Sequence, residues 1–79
     1  MVKIKEICGG AISIKLDKEI EIEKLIAIFN DYDVVYKSKD SLKLKKDKKE
    51  MLVFKYGEIL LYNFDKNEIN LIIEKMQNV

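Results

Sequence analysis

Residues 50–62, EMLVFKYGEILLY, limit what this chain can fold into more than any other stretch. Two apolar runs, 51–54 and 59–62, flank a short polar loop that contains Gly57. Runs of β-branched and aromatic residues separated by a few residues with glycine read as a β-hairpin. Both runs are almost continuously apolar, so both faces of the hairpin require cover or a partner. If Met51, Val53, Ile59 and Leu61 pack inward, then Leu52, Phe54, Leu60 and Tyr62 point the other way. A contiguous apolar patch of that kind on a small domain marks an interaction surface.

The remaining segments supply the inward cover. Val2, Ile4, Ile12, Ile14 and Leu16 share even parity with lysines between them, the alternation of a half-buried strand on each side of Gly9-Gly10. Taken locally, Gly-Gly between alternating segments signals a hairpin. The alternative is one long strand bent at the glycines, where another backbone approaches closely. From Asp17 to Asn30 the period changes: Ile22, Leu25, Ile26 and Phe29 form one helical face, with Glu19, Glu21 and Glu23 at its positive end. Val34, Val35 and Tyr36 read as a short strand, and Leu42 and Leu44 alternate with lysines in another. Asp65 followed by Glu68 reads as a capping box, ahead of a second helical face of Ile69, Ile72, Ile73 and Met76. No linker or repeat divides the chain, so residues 1–79 form one α+β domain: an antiparallel sheet with helices on one face.

With 79 residues the core is small, and a domain of this size gains from a disulfide, a metal or a partner chain. Cys8 is the only cysteine and histidine is absent, which leaves neither a disulfide within the chain nor a zinc site. Dimerisation is then the simplest way to enlarge the core, and we expect a homodimer. A single thiol without a leader-like segment leads us to expect a cytoplasmic protein. Abundant lysine, glutamate and isoleucine are the bias of a thermophile, or of an AT-rich genome. No apolar run approaches the roughly 20 residues of a membrane span.

Catalytic signatures are missing: no histidine, no glycine-rich phosphate loop, no recognisable carboxylate pair. Cys8 without a histidine base reads as a small buried hydrophobe. We therefore expect neither an enzyme nor a cofactor. Charged residues make up 37% of the chain for a net charge of +1, yet they are zoned. Residues 37–49 hold seven lysines against two aspartates, and residues 17–33 hold six acids against two lysines. The cluster Lys43, Lys45, Lys46, Lys48 and Lys49 could meet phosphates, or could simply blunt an edge strand. All fifteen basic residues are lysine, and without arginine's fork the reading of bases is poorly served.

The stretch KKDKKEMLVFKYGEILLY, residues 45–62, resembles part of one half of the TATA-box-binding protein fold. There a basic turn, an apolar strand, a Ser-Gly-Lys turn and a second apolar strand follow in that order. AISIKL with the acidic-headed helix after it resembles that family's first strand and helix. The resemblance implies a curved antiparallel sheet of about five strands with two helices on one face, in the order β-α-β-β-β-β-α. It implies that Phe54 occupies the place of a DNA-wedging phenylalanine, with Leu52 beside it. Ile7 and Gly9 fall at groove-facing positions of the first strand, and Lys43 at a phosphate-contacting arginine. Glu58 stands where the family has lysine, Tyr56 where it has serine, and Lys37 near the second wedge. A carboxylate at a phosphate-facing position repels DNA, so the fold is implied without TATA-box recognition.

A single half also lacks its other half, which in the family meets it at the first strand. The resemblance therefore implies a two-fold pairing through Ile7, Gly9, Gly10, Ala11 and Ser13, with the glycines as a close-approach site. We expect a non-enzymatic binding module whose sheet face, Ile7, Gly9, Leu52, Phe54, Leu60 and Tyr62, holds a protein partner or a second copy. The alternative is a nucleic-acid-binding protein using the lysine turn and Phe54.

Overall fold

Alternation along the strands decides which side of the sheet is buried. The computed structural model describes residues 3–7 and 10–78, with the backbone alone for residues 6 and 7. The elements are β1 (Lys3–Ile7), β2 (Ala11–Lys15), α1 (Ile22–Ile28), β3 (Asp33–Lys37), β4 (Ser41–Lys46), β5 (Lys49–Phe54), β6 (Glu58–Tyr62) and α2 (Lys66–Gln77). They build one six-stranded sheet in the order β1-β2-β6-β5-β4-β3, antiparallel at every junction. The register lines up Ile4, Ile14, Ile59, Val53 and Leu42 in one row across the sheet. Ile12, Leu61, Met51, Leu44 and Val34 form the next row on the same side.

These rows are the floor of the core. Ile14, Ile59, Val53, Leu42, Met51 and Leu44 are fully buried, and they join Leu25 and Phe29 at α1 with Ile69, Ile72 and Met76 of α2 in a single cluster. Both helices therefore lie against this side. The ends of the rows are open: Ile4 is 55% and Val34 46% exposed. The outer strands overhang the helical layer.

Three features differ from the sequence expectations. First, β1 runs antiparallel along β2, with Ile7 opposite Ala11 and Lys3 opposite Lys15, so the two strands pair as a hairpin. The bent single strand implied by the resemblance is not formed, and six strands stand in place of about five. Gly10 lies in the turn with φ +80°, and Cys8 and Gly9 are outside the described residues. Second, β2 has β1 on one side and β6 on the other. Its Ala11 and Ser13 thus have no free edge with which to pair across a two-fold axis, which corrects that expectation.

Third, α1 begins only at Ile22. The segment before it is held by tertiary backbone bonds: Leu16 N–H donates to Gly57 O at 2.9 Å and Ile20 N–H to Lys55 O at 2.7 Å. Those bonds, with Leu16 and Ile20 buried, outcompete another helical turn. Glu21 becomes the N-cap residue without a side-chain cap, and only Glu23 stays in the first turn. In α2 the capping box is complete. Asp65 Oδ1 accepts from Glu68 N–H at 2.8 Å, and Asp65 N–H donates to Glu68 Oε1 at 3.3 Å.

Candidate functional site

The candidate site is the sheet side away from the helices. On β5 and β6 the residues between the core positions must face outward. Leu52 and Leu60 lie directly opposite each other at its centre, half-buried by their neighbours. Phe54 is next along β5, its ring stacked on Tyr56 at 5.4 Å between centroids and 19° between planes. Tyr62 lies between Glu50 and Ala11 in the register, and Ala11 is opposite Ile7 on β1. Leu52, Phe54, Leu60 and Tyr62 thus share one face as the alternation requires. Ile7 joins their register by its backbone, and Gly9 is outside the described residues.

Lysines flank this apolar strip on both sides. Lys43 is opposite Leu52 and Lys45 opposite Glu50 on one flank; Lys5 is opposite Ser13 and Lys3 opposite Lys15 on the other. Two glutamates sit within the strip, and both have lysine beside them: Glu58 opposite Lys15 and Glu50 opposite Lys45. Opposite charges at facing positions stabilise a strand pair modestly, by about 0.2–1 kcal/mol each. The result is a mixed-charge frame around an apolar centre.

The five lysines singled out in the sequence do not form one surface. Lys43 and Lys45 face outward with Leu52 and Glu50, and Lys48 is exposed in the β4–β5 turn. Lys46 and Lys49 point to the helix side, where Lys46 Nζ is 2.7 Å from Asp31 Oδ2 and Lys49 pairs with Glu68. An aromatic cluster holds them there. Tyr32 meets Phe29 edge-on at 5.8 Å and stacks on Phe64 at 6.5 Å. Lys46 Nζ lies 5.5 Å from the Tyr32 ring centre, and Lys49 Nζ 5.9 Å from that of Phe64. The hydrogen bond from Lys46 lowers the Asp31 pKa, and Asp31 in turn raises that of Lys46. Burial, then the Asp31 charge, raises the Tyr32 phenol.

The sequence places Tyr56 in the turn, where the resemblance has serine, and not in the apolar face. It becomes an exposed ring on the outer face because the turn brings it against Phe54, at 52% exposure. Tyr36 was likewise read as a strand residue without a role. The register places it opposite Lys43, on the same outer face. Period-two alternation could have flagged Tyr36, but the irregularity between Val34 and Tyr36 breaks the count.

Among the described residues, no group of histidine, cysteine, aspartate and glutamate side chains could hold a metal ion. A hollow of about 510 Å³ lies elsewhere, between Glu21–Glu23 and Lys37–Lys39 with Lys55. Its walls are bridged by the Lys37–Glu23 ion pair. No helix among the described residues is long and apolar enough to cross a membrane. Comparison of the chain with protein-family models, with curated proteins and with solved structures finds no match.

Proposed function

We propose that this protein is a non-enzymatic binding module that presents its open sheet face to a protein partner. One observation carries the reading: Leu52, Leu60, Phe54 and Tyr62 share the side of the sheet that neither helix covers. An apolar centre with a rim of alternating charge is the anatomy of a protein–protein contact. The frame sets orientation and partner choice, and the apolar centre supplies most of the affinity.

A second reading, nucleic-acid binding in the manner of the TATA-box-binding fold, draws on one specific observation. Lysines stand on both flanks of a face that carries the Phe54–Tyr56 stack. Aromatic rings between basic flanks suit single strands. Against it, Glu50 and Glu58 lie within the strip, and Lys46 and Lys49 are engaged on the other side.

The test is capture from the native cell extract, with nuclease, using the wild type, Leu60→Lys and Phe54→Ala. The first reading expects a protein retained after nuclease, insensitive to salt, and lost in Leu60→Lys. If a generic duplex or single strand binds at low salt, weakens steeply as salt rises, and is lost in Phe54→Ala, the first reading fails in favour of the second.

A further inference from the structure

We propose, resting on the open-face function, that the partner's contact is an amphipathic helix with acidic flanks, lying along β5 and β6. The backbone limits the conformation. A strand laid on the face of a sheet would press its own N–H and C=O groups against Leu52 and Leu60, which offer them no partners. A helix satisfies those groups within itself. The same physics applies on the other side of this sheet, where α1 and α2 cover the core rows.

Charge then selects the flanks. One register row of the outer face reads Lys5, Ser13, Leu60, Leu52, Lys43 and Tyr36, from β1 to β3. An apolar pair lies at its middle, with one lysine on each side. Lys5 and Lys43 stand four strand spacings apart, about 19 Å. A helix with its side chains is about 10–12 Å wide, so it fits between them with both ammonium groups within reach of its sides. Among the described residues, neither lysine has an ion-pair partner.

The glutamates of the face lie one row away, toward either end, and each has a lysine opposite: Glu50 has Lys45 and Glu58 has Lys15. The two charges left unanswered at the centre are both positive, and they favour carboxylates on both sides of the helix's apolar stripe. The six residues of β5 run for about 20 Å, a length that about 13 residues of helix would span. The apolar centre holds the complex together in salt, and the lysines set how fast it forms.

The experiment measures binding kinetics with synthetic probes, on wild type and on variants shown by circular dichroism to be folded. The acidic probe is a helical peptide with a leucine stripe and glutamates on both flanks. A basic probe has lysines in place of the glutamates, and a third probe is the acidic one with a central proline. Expected is that wild type binds the acidic probe about tenfold more tightly than the basic one, chiefly through a faster association rate. Lys5→Glu/Lys43→Glu reverses that preference, Leu60→Lys binds neither, and binding of the proline probe is lost with its helix. Equal affinity for the acidic and basic probes overturns the proposal, as does a preference unchanged in Lys5→Glu/Lys43→Glu. So does a proline probe that binds as well as the acidic one. An oligothymidine that displaces the acidic probe, or a wild-type dimer that Leu60→Lys splits, also overturns it, because a nucleic acid or a second copy then holds the face. If no probe binds while the native extract still yields a protein that is lost in Leu60→Lys, the acidic helix fails and the open-face function stands.

Discussion

Gly57 carries two constraints at once. Its φ of +103° lies where side chains are strained, and a Cβ there would stand 2.6 Å from both Leu16 O and Lys18 O. Neither carbonyl is the end of a flexible side chain, so the β2–α1 segment itself would have to move. We expect Gly57→Ala to lose about 3 kcal/mol in urea denaturation, from backbone strain together with the displaced contact. Gly10, at φ +80° with nothing within 4 Å, has only the strain, and Gly10→Ala should lose about 1 kcal/mol. Sequence reading placed Gly57 in a turn. The carbonyls that forbid a side chain there belong to a distant segment and could not be read locally.

Tyr32 offers a titration test at the same scale. Burial between Phe29 and Phe64 raises its phenol pKa above the ordinary tyrosine range. The unfolded chain then releases this proton before the folded one, so the contribution is intact below the unfolded pKa and is lost as pH rises through that range. Tyr32→Phe should flatten the alkaline limb of the stability curve relative to wild type. In a tyrosinate absorbance titration it should remove a phenol that ionises late.

Among the elements, α2 was legible almost entirely and α1 only in part. The α2 signals are local: a cap at Asp65, its reciprocal partner Glu68, and an apolar face that returns every turn. Asp65→Ala leaves the N–H of Glu68 without its acceptor and should lower stability by about 1 kcal/mol, seen as a lower urea midpoint at unchanged m-value. The face of α1 was also legible in Ile22, Leu25 and Phe29, but its start was not. Helix propensity continued upstream through Asp17, whereas bonds to the β5–β6 turn claimed that backbone. The lysine cluster shows the same limit. Alternation separates Lys43 and Lys45 from Lys46 and Lys49, but their partners Asp31 and Glu68 become visible only when the helices are in place.

Across the whole molecule, the outward sheet face followed from one hairpin, and the layer order from parity and helical period. The topology did not, because Gly9-Gly10 permits either a turn or a bend and the choice rests on what lies beside β2. That choice has a kinetic consequence. Strands β3 to β6 are each paired with their neighbour in sequence, and so are β1 and β2; of the strand pairs among the described residues, β2–β6 alone joins distant stretches of chain. The meander should assemble first, and closing β2 onto β6 should be the late step, since long loops close slowly. Ile14 lies on that closure, fully buried and opposite Ile59. Ile14→Val should therefore speed unfolding by about fivefold for a loss of about 1 kcal/mol, with little change in the folding limb of the chevron. The order in which this sheet is stitched is written in the one junction its strands do not share with their neighbours in sequence.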